Sequence, residues 1–212
     1  MHKGKLITFE GLDCCGKSTQ LDLTKNWLEG IGLSVVISRE PGGTKIGKQI
    51  RSILLNPKHK ELIPESELLL YLADRIQNLQ EFILPAKTDG EIVLCDRSHD
   101  STIAYQGYGR GLNLSIIESI VTNCIEPYAP DFTILLKISP ETVAKRLEKR
   151  EKGLEKDRLD LESLSFFERV SQGFESLAHS EPKRFVCIDG ENEIEIVHKE
   201  IIKILIQRLH IS

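Results

Sequence analysis

One stretch narrows the possible folds more than any other: "ITFEGLDCCGKSTQL", Ile7 to Leu21. An apolar run of strand length leads into a glycine-bounded turn, and a helical pattern begins at its end. From Gly11 to Ser18 the turn fits G-x-x-x-x-G-K-[ST], the spacing of a loop that wraps phosphate groups. Gly11 and Gly16 allow backbone angles that point successive amides inward, and the helix adds the partial positive charge of its N-terminus. Lys17 supplies a point charge for outer phosphate oxygens, and Ser18 offers its hydroxyl to a divalent cation.

The rest of the chain continues in the same alternation. Strand-length apolar runs lie at Leu6–Phe9, Leu33–Ser38, Ile92–Asp96, Phe132–Ile138 and Phe185–Ile188. Most are continuous in apolar residues, as in strands covered on both faces. Helical patterns fall between and after them at Ser18–Leu28, Ile46–Leu54, Glu65–Leu84, Leu114–Ile125, Glu141–Arg150, Ser163–Leu177 and Glu193–Leu209. The pattern predicts an α/β fold: a five-stranded parallel sheet with helices on both faces and binding sites beyond the carboxyl ends of the strands. With 212 residues, no internal repeat and no long linker, a single domain over 1–212 is expected.

Composition removes several function classes. Thirty-two acidic against 28 basic residues give a net charge of -4, which argues against a nucleic-acid binder. A small anionic ligand responds to local charge and remains compatible. The five cysteines are odd in number and form no C-x-x-C, so neither a disulfide framework nor a four-cysteine zinc site is indicated. Met1–Lys5 leads into a strand without the apolar core of a signal peptide, and no run reaches the ~18–20 residues of a membrane span. The expectation is a cytoplasmic protein with no membrane partner. No Asn-Lys pair occurs, so the guanine-reading Asn-Lys-x-Asp of GTP switches is absent.

Two features admit alternatives. Asp96 closes the strand "IVLCD": an acid there serves as a turn cap or, opposite a phosphate loop, joins Ser18 in holding a metal. The segment "KRLEKREKGLEKDRLD", residues 145–160, reads as a solvated helix end or as a mobile lid carrying arginines over phosphates.

Further segments narrow the reading. "SREPGGT" (Ser38–Thr44) ends the second strand, "LLYLADR" (Leu69–Arg75) lies on a helix, and "DRSHDSTIAYQGYGRG" (Asp96–Gly111) follows the third strand. With "FEGLDCCGKSTQ", and with "ISPETVAKRLEKR", "DRLD" and "FFERV" downstream, the chain resembles the thymidylate kinases along nearly its whole length. The resemblance implies a P-loop kinase fold with a short mobile lid, ATP-dependent and Mg²⁺-dependent phosphorylation of dTMP to dTDP for dTTP supply, and a homodimer. It carries over residue by residue. The loop Gly11, Leu12, Asp13, Cys14, Cys15, Gly16, Lys17, Ser18 and Thr19 would hold the donor nucleotide, with Ser18 and Asp96 at the metal. Arg97 would hold the acceptor phosphate. Tyr71 and Arg75, one helical turn apart on one face, would stack on thymine and bond its carbonyl; as a residue alone, Tyr71 reads equally as core packing. Pro41 would pack on the base, in a turn shaped by Arg39 and Glu40. Ser101, Tyr105 and Gln106 complete the acceptor pocket, with Tyr105 beside the sugar where a ribose hydroxyl would clash.

Where part of the family has a loop arginine this chain has Cys14. The charge that phosphoryl transfer needs must then come from elsewhere, and the resemblance to the bacterial form points to lid arginines: Arg150 and Arg158, ahead of Arg146. The expected catalytic set is Asp13, Lys17, Arg97, Arg150 and Arg158. By the same resemblance, Asp189 and Gly190 fall beside adenine. Cys14 and Cys15 read as small residues that fit the loop, or as thiols activated by the helix N-terminus and Lys17. A kinase for another pyrimidine nucleotide and a non-catalytic nucleotide-binding module are the competing functions.

Overall fold

The computed structural model describes residues 4–125, 128–149 and 156–211. Five strands, β1 (Lys5–Glu10), β2 (Val35–Arg39), β3 (Ile92–Asp96), β4 (Phe132–Lys137) and β5 (Phe185–Asp189), form one parallel sheet in the order β2-β3-β1-β4-β5. After β1 the chain fills one side of the sheet and then crosses to the other. This reversal opens a crevice at the carboxyl end of β1, where open α/β sheets bind ligands. Phe9 pairs with both Asp96 and Ile134, so the end of β3 adjoins the start of the phosphate loop.

The continuous apolar strands divide their side chains between two layers because successive residues point to opposite faces. Leu6, Val93 and Cys95 pack with Leu79, Ile83 and Ala86, whereas Ile7, Phe9 and Leu94 join the larger core with Leu21 and Leu28. Helices therefore cover both faces, as expected. They are α1 (Lys17–Gly30), α2 (Lys45–Leu55), α3 (Pro64–Asn78), α4 (Leu84–Thr88), α5 (His99–Thr102), α6 (Leu114–Cys124), α7 (Pro140–Lys149), α8 (Leu164–Ser180) and α9 (Ile194–Leu209). Thr44 and Ser163 cap α2 and α8 through their hydroxyls, accepting from Gly47 N and Phe166 N.

Two elements differ from the sequence reading. The helix expected over Glu65–Leu84 is interrupted by a π-helical turn, Leu79–Ile83, before α4. Pro85 has no amide hydrogen to continue the ladder, and the helix widens just ahead of it. The segment after β3, for which periodicity indicated no element, forms α5 and a second π-helical stretch, Ile103–Gly109. Helix α8 packs closely on it, since a Cβ at Gly173 would lie 2.9 Å from Ala104 Cα. That packing brings Tyr105 and Gln106 to the crevice.

Candidate active site

The phosphate loop runs from the end of β1 to α1. Gly11 has φ 137° and Gly16 has φ 100°, both in the region glycine favours. At Gly11 space also forbids a side chain, because a Cβ would lie 2.3 Å from the Leu136 carbonyl oxygen. Cys14 takes φ 60° without being glycine. No side chain caps α1, so its first amides remain available to an anion. Lys17 is folded back over the loop: Nζ donates to the carbonyls of Gly11 at 3.2 Å and Leu12 at 3.0 Å, with Cys15 Sγ 3.5 Å away. Cys15 is buried, which leaves little access for a thiol reagent.

One cavity of about 350 Å³ continues from this loop. It is lined by Asp13 through Thr19 and by Asp96, together with every residue the sequence assigned to the acceptor: Pro41, Tyr71, Arg75, Arg97, Ser101, Tyr105 and Gln106. Gly11 and Leu12 stand behind its wall and contribute the carbonyls that hold Lys17 and Arg97.

Arg97 organises the part of the cavity next to the loop. Its Nη2 donates to Asp13 Oδ1 at 2.6 Å and to the Tyr105 hydroxyl at 3.1 Å, and its Nη1 donates to Gly11 O and Ser101 Oγ, each at 3.1 Å. Tyr105 in turn donates to Asp13 Oδ2 at 2.8 Å. Burial opposes ionisation of Asp13, yet Arg97, Lys17 and the Tyr105 hydrogen bond outweigh it and hold the carboxyl below its ordinary range.

The far part of the cavity is built on α3. Arg75 is buried and donates to Glu40 and Thr102. Glu40 also accepts from Asn78 Nδ2 at 2.9 Å. Burial pushes Glu40 up while Arg75 and Asn78 pull against it. Asp74 accepts from Gly42 N at 2.9 Å and fixes the turn that carries Pro41. Arg51 reaches the same turn from α2, donating to Pro41 O at 2.9 Å, and it also lines the cavity. Gln106 is turned toward Glu67, to which its Nε2 donates at 2.8 Å.

The predicted lid divides into parts. Residues 145–149 complete α7, and Arg150 lies outside the described residues. Arg158 is anchored away from the loop, donating to Glu67 and, through Nε, to Leu54 O at 2.8 Å. Arg146, placed last of the three in the sequence reading, meets the loop: Nη1 donates to Cys14 O at 2.9 Å and Nη2 to Gly190 O at 3.1 Å. Gly190 follows β5, and its amide donates to Lys137 O at 2.8 Å. The turn carrying Asp189 and Gly190 thus abuts the loop.

Asp96 Oδ1 is buried and, among the described residues, has no hydrogen-bond partner. A carboxylate oxygen left open beside a phosphate loop suits a hydrated divalent cation, which takes one or two protein oxygens and completes its shell with water and phosphate. No cluster of three or more metal-ligating side chains exists among the described residues.

Sequence reading missed Glu10, Arg51, Glu67, Asp74 and Asp157. Arg51 and Asp157 line the cavity, while the other three reach it only through tertiary contacts. None carried a local signal beyond being charged.

A parallel sheet in this order, with the lysine-bearing loop at the switch point and an arginine-lined pocket beside it, defines a P-loop phosphotransferase of the small-molecule kinase class. A family model described as Thymidylate kinase matches residues 9–201. The chain is 45% identical over 210 residues to the thymidylate kinase of Nostoc punctiforme, covering 99% of this chain and 98% of that one. It is 42% identical over 201 residues to that of Pelotomaculum thermopropionicum, covering 95% and 92%. A crystal structure of thymidylate kinase from Ehrlichia chaffeensis superposes with a TM-score of 0.78 at 33% identity, covering 97% and 99%. The chain belongs to the thymidylate kinase family.

Proposed function

We propose that this protein transfers a phosphoryl group from ATP to dTMP, yielding ADP and dTDP, through one catalytic domain formed by the whole chain. The observation that carries the reading is the continuity of one cavity, lined by the phosphate loop with Lys17, by Arg97 beside it on the same Gly11 carbonyl, and by Tyr71, Arg75 and Pro41. Two nucleotides laid end to end there bring an acceptor phosphate oxygen toward the donor's terminal phosphorus. That oxygen is already ionised near neutral pH, so no general base is required. It forms the new P–O bond as the bond to the ADP oxygen breaks.

The chain's own groups then serve alignment and charge. Lys17 leaves the loop carbonyls for the donor's outer phosphate oxygens, and Arg97, its Nη1 and Nη2 committed to Gly11, Ser101, Asp13 and Tyr105, offers its charge and its Nε–H to the acceptor phosphate. Asp13 orients Arg97. Arg51 adds a second guanidinium at the cavity wall. Ser18 and Asp96 would hold Mg²⁺, whose charge offsets that of the phosphates. Tyr71 stacks on thymine, Arg75 bonds its carbonyl, and Tyr105 stands at the sugar. A coupled assay of ADP release with dTMP, dUMP, CMP and thymidine, each with ATP and Mg²⁺, tests the assignment: turnover should be greatest with dTMP. Absence of dTDP would overturn it.

Two further readings belong with this one. Among the described residues no helix is long and apolar enough to cross a membrane, in keeping with work in the cytoplasm. Helices α2 and α3 pack together and leave Ile46, Ile53 and Leu69 exposed, an apolar face suited to a second copy of the chain in a homodimer.

A further inference from the structure

Glu10 is the last residue of β1, fully buried, directly ahead of the phosphate loop. Its two oxygens have separate partners. Oε1 accepts from Ser98 N at 2.6 Å, and Oε2 accepts from Ser101 Oγ at 2.6 Å. Both donors follow Arg97 in the chain, and Arg97 adopts φ 73°, a region sparsely populated by non-glycine residues. Arg97 N donates to Phe9 O at 3.0 Å. The last two residues of β1 therefore secure the chain at Arg97 and immediately after it.

The direction of the hydrogen bonds is forced. Arg97 carries donors only, so Ser101 Oγ must accept from its Nη1. The single Ser101 hydroxyl hydrogen is then committed to Glu10. A carboxylate at the end of this relay accepts from the hydroxyl at one oxygen and from the Ser98 amide at the other, whereas an amide side chain would turn its own NH₂ donor toward one of the two. Burial and Asp100 push Glu10 up to about 7, with Arg97, the Ser101 hydrogen bond and Arg75 pulling against them. The charged form of Glu10 thus leans on the arginine above it.

We propose that Glu10 is a positioning residue for the acceptor phosphate, fixing Arg97 through the Ser98 amide and the Ser101 hydroxyl. This inference rests on the reading that Arg97 binds the dTMP phosphate. It also gives Ser101 a definite duty as a relay between Glu10 and Arg97.

Equilibrium titrations of the full chain with dTMP and with thymidine, which lacks the phosphate, test it. Wild type should bind dTMP more tightly than thymidine. Glu10→Gln keeps the shape and breaks the hydrogen-bond direction, and it should weaken dTMP roughly tenfold to a hundredfold while thymidine changes less than about threefold. Ser101→Ala removes the relay alone and should weaken dTMP by about three- to tenfold, again sparing thymidine; it decides the matter if Glu10→Gln does not fold. An equal loss for both ligands, or none for dTMP, overturns the inference. If wild type itself binds the two ligands equally, the acceptor-phosphate reading of Arg97 fails first, and this proposal with it.

Discussion

Arg97 and Asp13 form an ion pair of 2.6 Å that joins the loop after β3 to the phosphate loop. The residue assigned to the acceptor phosphate is therefore oriented by a residue of the donor loop. Asp13→Asn should lower kcat/KM for dTMP by roughly tenfold to a hundredfold, by loosening that orientation. The same pair has a pH signature. Asp13 titrates below its ordinary value of 3.8 in the folded protein, so its ionised form stabilises the fold. That contribution is fully present above about 3.8 and is lost as pH falls through the lower folded value. Urea denaturation should show wild type more stable than Asp13→Asn at pH 7, the difference shrinking in acid below the ordinary aspartate range.

Lys17 rests on two loop carbonyls and must exchange them for phosphate oxygens. Lys17→Ala removes a charge that matters most as negative charge shifts during transfer. Phosphoryl transfer should fall by about a hundredfold or more, while far-UV circular dichroism remains that of wild type. Retained folding with lost turnover separates an enzyme from a nucleotide-binding module; unaltered turnover would remove Lys17 from the mechanism.

The phosphate loop and the strands were legible because local patterns encode them, whereas the cavity residues beyond the loop came from the family resemblance. Glycine spacing specifies Gly11 and Gly16, and a one-turn interval places Tyr71 and Arg75 on one face. What escaped depends on partners distant in sequence. Glu67 lies on α3 yet receives Gln106, Arg110 and Arg158 from other elements, and nothing in "PESELLL" announces that. Asp74 reads as one more polar position, although a Cβ at Gly47 would stand 2.3 Å from its Oδ1. The π-helical stretch Ile103–Gly109 has no periodicity of 3.6, and a search for helical stripes passes over it. Among the arginines at 146–158, Arg146 reaches the loop from within α7 and Arg158 is held by Glu67, contacts made with partners distant in sequence.

Arg75 and Glu40 are both about 3% exposed at their side chains. Removing the cation leaves a buried, partly unpaired carboxylate, which costs about 3–5 kcal/mol. Arg75→Ala should show a loss of that order in urea denaturation, along with weakened dTMP binding. Glu40→Gln in the same chain should recover part of the stability and none of the binding. If the double variant is no more stable than Arg75→Ala, the unpaired acid is not the cause.

Arg146 and Arg158 make opposite predictions for the donor nucleotide. Arg146 bridges the carbonyls of Cys14 and Gly190, so Arg146→Ala should raise KM for ATP several-fold and leave KM for dTMP near wild type. Arg158 ties Leu54 to Glu67, below Tyr71 on α3. Its replacement by Ala leaves Glu67 with Arg110 and Gln106, and should affect dTMP more than ATP. Initial rates with each nucleotide varied in turn distinguish the two; identical patterns would contradict the geometry.

Leu69 is 60% exposed on α3, although the helix turns Tyr71 and Leu72 inward. A leucine so placed gains from burial, and Ile46 and Ile53 on α2 are exposed as well, seven residues or two helical turns apart. Covered by a second copy, this surface would lose its contact with water at about 25 cal/mol per Å² of apolar area. A glutamate at position 69 would have to be desolvated there without a partner. If the proposed homodimer forms through this face, wild type should sediment as a dimer and Leu69→Glu as a monomer, while the circular dichroism stays unchanged. A dimer that persists at low micromolar concentration would move the contact to another face.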